Sequence, residues 1–316
     1  MNFIVTPSKE TFSHQRQFYS VFSQLIMAKE RVTSHIAAIK SSYTCLAVCC
    51  IMNKIMKHRK KEENMGLDIY AGTLTRYYTH NWKTVTQQFA EANGMKFQTF
   101  RYQPEPEEEL SIDETYHIVI QWRDNIVNGL GLEPRPLWNE DHDVTPYYTD
   151  KIDWDALNAL LLYIAAKYSN KEVPETIEKG LNIYEHPIVK EFIETKDFML
   201  TLFDGNGWWL PIHQNIIFDY VLPNAEKSPL TTSSLLLAEL ERYNSFEWHA
   251  DRKTIISWST TEGYPVDATL SQEEGYQSIA INKVYNTESL AKFAFSILWQ
   301  AAEFSLEHGV VIVYDF

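Results

Sequence analysis

Residues 286–314 read NTESLAKFAFSILWQAAEFSLEHGVVIVY and predict both kinds of element on which the fold depends. Asn286 predicts the start of a long helix, because an asparagine side chain accepts hydrogen bonds from the free amides of a first helical turn. The inward face of this helix is predicted to carry Leu290, Phe293, Ile297, Leu298, Ala301 and Phe304. His308-Gly309 predicts its end, and the apolar run Val310–Tyr314 is typical of a strand covered on both faces.

Further helices are predicted where a capping or helix-starting residue precedes apolar residues at helical spacing. The starting residues are Asn81, Ser111, Asp153, Pro187 and Ser233 or Ser234. The helix after Asn81 is expected to place Trp82, Val85 and Phe89 on one face and to end at Asn93-Gly94. Ser111 is followed at the right spacing by an acidic residue that completes a capping box. Within that helix, Tyr116–Ile120 is also compatible with a strand.

Strands are predicted from short apolar runs that are rich in β-branched and aromatic residues. The runs are 66–78, as a strand or hairpin central to the sheet, 198–212, as a hairpin around the turn Asp204–Gly207, and 216–222 and 254–258 as single strands. Residues 134–150 are predicted to form a long irregular loop. The expected fold class is α+β, with a mixed β-sheet and several packed helices. A division into two lobes that meet near Tyr168–Thr195 is an alternative.

The composition of the chain changes at Met65. The first 64 residues contain 10 Lys or Arg and 4 Asp or Glu, whereas the other 252 contain 18 and 38, respectively. The formal net charge of -14 therefore divides into about +6 before Met65 and about -20 after it. All three cysteines precede Met65, so the acidic part has no disulfide, and a cytoplasmic location is expected. The apolar run Tyr43–Ile51 is too short to span a bilayer, and we predict no membrane segment.

Two interpretations of residues 1–64 stay open, whereas residues 65–316 are predicted to form one acidic globular α+β domain. In the first, residues 1–64 are a basic N-terminal extension, disordered or helical around Arg16–Lys40. In the second, Met65 is the natural translation start, because the codons for Lys61–Asn64 can form a bacterial ribosome-binding sequence. The change in composition favours the second interpretation.

The stretch MGLDIYAGTLTRYYTHNW, Met65–Trp82, resembles the opening of an uncharacterised group of bacterial proteins. The resemblance covers this stretch alone. It implies a bacterial protein that starts at Met65, and it implies no activity and no functional residue.

Fingerprints of the common enzyme classes are absent from residues 65–316. The sequence contains no G-x-x-x-x-G-K-[ST], no three-glycine dinucleotide loop, no H-E-x-x-H and no G-x-S-x-G. Because this part has no cysteine, thiol catalysis and Cys-ligated zinc are excluded from it. We therefore predict no cofactor.

The densest run of potential metal ligands is Glu140-Asp141-His142-Asp143. Asp141, His142 and Asp143 are candidate ligands, since carboxylate and imidazole groups bind divalent cations. Adjacent loop residues rarely converge on one ion without ligands from elsewhere, so a solvated acidic loop is the preferred interpretation and no metal site is predicted.

Candidate acid and base residues are His213, on the predicted strand WWLPIH, and His249 with Asp251 in the segment EWHADR. They form a catalytic set only if the fold brings them within hydrogen-bonding reach, with a carboxylate such as Asp204, Asp219 or Glu239. A structural role for each histidine is the alternative.

Paired aromatic residues predict a binding surface. The candidates are Tyr77, Tyr78, Tyr147, Tyr148, Trp208 and Trp209. In an extended strand, neighbouring side chains point to opposite faces, so at least one face is expected to carry aromatic rings that need a cover.

The net charge of the domain indicates which classes of partner it can bind. A domain with about -20 charges repels nucleic acid and anionic membranes and attracts basic surfaces, so we expect no direct nucleic-acid or membrane binding. The favoured hypothesis is a cytoplasmic bacterial interaction protein that binds a basic protein through an acidic and aromatic surface, in toxin immunity or phage defence. The alternative is a hydrolase or transferase that uses Asp, Glu and His residues.

Overall fold

The computed structural model describes residues 67–95, 110–132, 138–195, 201–264, 269–273, 276–280 and 284–315. Backbone contacts divide the chain between Glu63 and Asn64, and every described residue belongs to the second unit. The predicted N-terminal extension, residues 1–64, lies outside the described residues. The alternative of two lobes meeting near Tyr168–Thr195 is not observed, because Asn64–Phe316 groups as one unit.

The class is α+β, as predicted. The strands are β1 (Asp68–Gly72), β2 (Tyr148–Lys151), β3 (Thr176–Glu178), β4 (Trp208–Leu210), β5 (Ile217–Val221), β6 (Lys227–Thr232), β7 (Thr269–Glu273), β8 (Tyr276–Ala280), β9 (Val284–Asn286) and β10 (Val311–Asp315). Six of them form a mixed sheet in the order β2-β1-β10-β4-β6-β5. Its neighbours pair antiparallel except for β4 and β6, which are parallel. Two antiparallel ribbons pair β3 with β9 and β7 with β8.

Helices cover both faces of the sheet. They are α1 (Leu74–Tyr78), α2 (Val85–Ala92), α3 (Ile112–Gly129), α4 (Trp154–Tyr168), α5 (Pro187–Thr195), α6 (Ser233–Phe246), α7 (Arg252–Thr261) and α8 (Thr287–His308). Helix α8 packs against α4, α6 and α7 and against β1 and β2. On the opposite face, Val311 and Val313 of β10 join a buried cluster with α1 and α3. The sheet therefore lies between two helical layers.

The predicted helix ends at Asn286, Gly309, Asp153 and Ser111 are confirmed, whereas the cap of α6 is Thr232 and not Ser233 or Ser234. The Asn286 Oδ1 accepts from the Ser289 amide at 2.8 Å at the start of α8. Gly309 ends α8 with φ 66°, a left-handed conformation that suits glycine. Asp153 begins α4, which is buried over most of its length, and Ser111 begins α3 through a complete capping box. The strand after Gly309 is buried on both faces over its first three residues, as its sequence predicts.

Three strand predictions are wrong in part or whole. The 66–78 run forms β1, inside the sheet between β2 and β10, but its second half is helix α1. The predicted 198–212 hairpin does not form, because Thr201–Phe203 is a short 3₁₀ helix and β4 pairs with β10 and β6. Residues 254–258 belong to helix α7, whose first turn is capped by Asp251.

Two helix predictions are refined. Helix α2 begins after Thr84, which makes the capping box, and not after Asn81, so Trp82 precedes the helix. Phe89 is exposed and does not form a buried face with Val85. Residues Tyr116–Ile120 are helical within α3, which excludes the alternative strand. No helix in the described part of the chain is both long enough and apolar enough to cross a membrane.

Candidate functional site

Residues 138–147, which we name the 138–147 loop, lead into β2 and turn some side chains inward and others outward. Trp138 and Glu140 are buried, whereas Asp141 and Asp143 are exposed. Val144 is 76% exposed, the largest exposure among the described large apolar side chains. The loop thus has an inner side that belongs to the core and an outer side that is acidic with one apolar residue.

Arg76 of α1 holds this loop from within. Its Nη1 donates to the Thr145 carbonyl at 2.8 Å, and its Nη2 donates to the His142 carbonyl. The guanidinium also lies over the Tyr147 ring, 5.2 Å from the ring centroid. The residue is only 9% exposed, and no carboxylate of the described residues forms an ion pair with it. Carbonyl oxygens and a π face therefore stabilise this charge in place of a counter-ion.

Glu140 is the second inner anchor and is 2% exposed. Its Oε1 accepts from the Trp138 Nε1 at 2.9 Å, and its Oε2 accepts from the Thr75 amide at 3.3 Å. Burial raises the pKa of Glu140 to about 7, because desolvation disfavours the carboxylate more than these hydrogen bonds and the charge of Arg123 favour it. The carboxyl group therefore ties α1 to the loop and titrates near neutral pH.

Backbone and side-chain hydrogen bonds fix the rest of the loop. The Asn139 amide donates to the Gly309 carbonyl at 2.6 Å, and the Asn139 Nδ2 donates to the Thr145 Oγ1 at 2.8 Å. The Thr145 amide donates to the Asp141 carbonyl at 3.0 Å, and the Asp143 amide donates to the Asp141 Oδ1 at 3.3 Å. These contacts hold the outward side chains in a defined arrangement.

The first turns of α3 extend the outer side of the loop. The Tyr116 ring lies 5.9 Å from the His142 ring, measured between centroids. One helical turn before Tyr116, Ile112, Asp113 and Glu114 are exposed. The loop and α3 together present carboxylates around two exposed apolar side chains.

The candidate metal ligands on the loop do not converge. The Asp141 carboxylate accepts a hydrogen bond from the Asp143 amide, and the His142 Nε2 lies 3.7 Å from the Asp143 Oδ1. Within the ranges that the structure describes, no three His, Cys, Asp or Glu residues are grouped so that they could hold a metal ion.

Four of the six predicted aromatic residues meet on the α3 side of the sheet, around Tyr70 of β1. The Tyr70 ring centroid is 5.5 Å from that of Tyr77 and 6.0 Å from that of Tyr147. Tyr78 contacts Tyr77 at 5.4 Å and Trp208 at 6.5 Å. Tyr77 and Tyr78 lie together because they are on a helix, which corrects the expectation that they point to opposite faces of a strand.

The other two predicted aromatic residues point to the α8 face. The Tyr148 ring lies 6.0 Å from that of Phe304, and the buried Trp209 ring lies 4.8 Å from that of Tyr314. The alternation predicted for the pairs at 147–148 and 208–209 is therefore observed. The binding role of all six residues stays a prediction, and packing within the domain accounts for these contacts.

A depression of about 300 Å³ opens beside the aromatic cluster. It is lined by Arg76, His80, Asn81, Trp82, Lys83 and Tyr147. The Lys83 amide donates to the Tyr147 hydroxyl at 3.2 Å, which joins the two sides of the opening. Arginine at position 76 was not singled out by the sequence, because it lay within a predicted strand.

The candidate acid and base residues lie in exposed positions. His213 follows β4 and is not part of it. His249 has a positive φ of 49°, and Asp251 caps α7 by accepting from the Thr254 amide at 2.7 Å, which lowers the pKa of Asp251. Among the described residues, no hydrogen bond or ion pair joins His213 to the other two. Their catalytic role stays a prediction.

A second buried carboxyl group contacts the 3₁₀ helix Thr201–Phe203. Glu239 of α6 accepts hydrogen bonds from the Thr201 amide at 3.0 Å and from the Thr201 Oγ1 at 2.8 Å. Burial raises the pKa of Glu239 to about 7 and that of the nearby Asp204 to about 6. Both residues were considered as partners of a histidine, and the structure instead joins Glu239 to a backbone turn.

Comparison with known proteins gives no relative: no family model, no curated protein and no solved structure matches this chain. The functional interpretation therefore depends on the geometry above.

Proposed function

We propose that residues 65–316 form a protein-binding domain that docks a basic protein on the outer side of the 138–147 loop and the first turn of α3. The observation that carries this proposal is Val144, which is 76% exposed and directly follows the exposed Asp143 on a loop fixed from within. Isolated apolar side chains on a surface are common. An apolar side chain at the tip of a loop held by a buried arginine and a buried glutamate is a stronger indication of a contact site.

The fixed conformation of the loop favours binding. Ordering a flexible loop on association costs free energy for each side chain that is immobilised. Here Arg76 and Glu140 hold the inner side of the loop in the folded protein. Binding a partner therefore requires little further ordering of the loop. Burying the Val144 side chain under a partner would contribute roughly 1.5 kcal/mol.

Charge supports a basic partner. Asp113 and Glu114 on the first turn of α3 and Asp141 and Asp143 on the loop are exposed, and residues 65–316 carry about -20 charges in total. Such a surface accelerates encounter with a cationic protein and repels nucleic acid. A cytoplasmic bacterial protein that covers the basic surface of a toxin or of a phage-defence component fits this chemistry.

The proposal is tested by affinity capture from the organism that encodes the chain. The bait is the wild-type chain, the Asp141→Lys/Asp143→Lys variant, or the matched Glu172→Lys/Glu178→Lys variant. Both variants change the net charge equally, and Glu172 and Glu178 are exposed elsewhere in the fold. The expected result is a basic protein that the wild type and the Glu172/Glu178 variant retain and the Asp141/Asp143 variant loses. Equal capture by all three baits, or no basic partner, would refute the proposal.

A second candidate function is acid or base catalysis, which the pKa values of Glu140 and Glu239 favour. A carboxyl group with a pKa of about 7 is well matched to proton transfer at neutral pH. Hydrolysis of chromogenic ester, phosphate and glycoside substrates is the direct assay. Activity that disappears in Glu239→Gln or Glu140→Gln, with the fold retained, would support this function, and inactivity of the wild type toward every substrate class would count against it.

A further inference from the structure

We infer that the depression beside the aromatic cluster binds a small aromatic anion, namely one aromatic ring that carries a phosphate or carboxylate group. The ligand proposed here is not the basic protein partner proposed above, although Tyr147 belongs both to the depression and to the 138–147 loop. Its lining is Arg76, His80, Asn81, Trp82, Lys83 and Tyr147, and its volume is about 300 Å³. That volume is at the lower end of the range for small-molecule pockets, which suits a ligand with a single ring.

The charge of the lining points to an anion. Arg76 and Lys83 are both cationic, and no acidic residue lines the depression, although the domain as a whole is strongly acidic. A larger depression of about 430 Å³ beside Tyr163 is lined instead by charges of both signs. At physiological ionic strength, charges more than about 8 Å away are largely screened, so the local lining determines the sign of the ligand.

Arg76 can still bind an anion. A guanidinium has five N–H donors, and the two bonds from Arg76 to loop carbonyls leave others without an acceptor among the described residues. Its charge is paired with no carboxylate, so a ligand phosphate or carboxylate would supply the missing counter-ion.

Lys83 supplies a second, exchangeable cation at the mouth of the depression. Its Nζ lies 2.7 Å from the Glu91 Oε2, and both side chains are more than half exposed. Exposed ion pairs of this kind contribute roughly 0–1 kcal/mol, so the lysine can turn to a bound anion at little cost.

The rings of the lining point to an aromatic ligand. The Trp82 ring lies 4.7 Å from Tyr70, and Tyr147 lies 6.0 Å from the same ring, so the two rings line the opening from neighbouring positions. An additional ring that packs against either one would gain roughly 0.5–1.5 kcal/mol beyond its buried area. This gain distinguishes an aromatic anion from inorganic phosphate.

The test is isothermal titration calorimetry of the full chain at physiological ionic strength with four probes. Phenyl phosphate and benzoate carry both a ring and an anion, inorganic phosphate carries the anion alone, and benzyl alcohol carries the ring alone. We expect one or both aromatic anions to bind about tenfold more tightly than inorganic phosphate or benzyl alcohol, which corresponds to about 1.4 kcal/mol. The head group of the tighter probe identifies the anion.

Two substitutions at exposed or half-exposed positions locate the site without disturbing the anchor Arg76. Lys83→Met and Trp82→Leu are each expected to weaken binding of the preferred aromatic anion several-fold, with circular dichroism used to verify folding. Lys253→Met, an exposed lysine on α7, is the matched control and should bind as the wild type does. The inference is overturned if neither aromatic anion gives heat at millimolar concentration, or if Lys83→Met and Trp82→Leu both bind as tightly as Lys253→Met.

Discussion

Replacing Glu140 with glutamine should remove a pH dependence from the stability of the domain. The pKa of Glu140 is about 7 in the folded protein, against 4.5 for an ordinary glutamate, because burial disfavours its charge. Between these two pKa values the folded state binds a proton that the unfolded state has released. The free energy of unfolding therefore falls as the pH rises from about 4.5 to about 7, and it levels off above that pH.

The magnitude follows from the size of the shift. Each pKa unit corresponds to 1.36 kcal/mol, so ionising Glu140 in its buried site costs the wild type roughly 3 kcal/mol above pH 7. Glutamine preserves the shape of the side chain and stays neutral throughout. The difference in unfolding free energy between the wild type and Glu140→Gln should therefore change by about 2 to 3 kcal/mol between pH 5 and pH 8, in favour of the variant at the higher pH.

Urea denaturation at pH 5, 6, 7 and 8 measures this difference directly. Glu239, Asp204 and Asp68 also have raised pKa values, but they are present in both proteins and cancel in the comparison. Glu114→Gln is the matched control, because hydrogen bonds from Ser111 lower the pKa of Glu114 and its effect is confined to pH values below this window. If the difference in unfolding free energy between the wild type and Glu140→Gln is the same at every pH, the burial argument is refuted.

Three further predictions test the anchor of the loop, the end of α8 and the core of the domain. Arg76→Lys removes the forked contact with two loop carbonyls and should cost about 2 kcal/mol in urea unfolding and speed proteolytic cleavage within the 138–147 loop; unchanged cleavage would contradict the anchoring role. Gly309→Ala should destabilise the domain by about 1–2 kcal/mol because φ is 66°, whereas Gly129→Ala, in open space at the end of α3, should not lower the melting temperature. Phe295→Ala should lower the free energy of unfolding by about 3–5 kcal/mol, because the ring is fully buried. Phe89→Ala, at an exposed position, should change it by less than about 0.5 kcal/mol. Similar losses for the two variants would contradict the placement of Phe295 in the core.

Signals that depend on neighbouring residues could be read from the sequence. Asn286, Asp153 and Ser111 each begin a helix as predicted, because capping joins a side chain to amides within the first turn. Gly309 likewise ends α8 through its own backbone conformation. The α+β class followed from these local elements.

Strand pairing could not be predicted in the same way. Trp208 and Trp209 were assigned to a hairpin with the preceding residues, but β4 pairs with β10, about a hundred residues later, and with β6. The β-branched residues at 254–258 favoured a strand, although Asp251 at the cap led to helix α7. Long-range packing overrides local preference at such positions.

The candidate site was only partly visible in the sequence. The acidic run at 140–143 was recognised, but nothing adjacent to Glu140 distinguishes a buried carboxyl from the exposed ones beside it. Arg76 acquires its role from contacts about 70 residues away, which no local pattern contains.

The account is tested most directly by the dissociation constant between this chain and the basic protein that it captures. Calorimetry at physiological salt should show binding by the wild type and by Glu172→Lys/Glu178→Lys with similar affinity. Asp141→Lys/Asp143→Lys should bind at least about tenfold more weakly, a loss of 1.4 kcal/mol or more. Equal affinity of the two charge-reversed variants would contradict the assignment of the docking surface to the 138–147 loop.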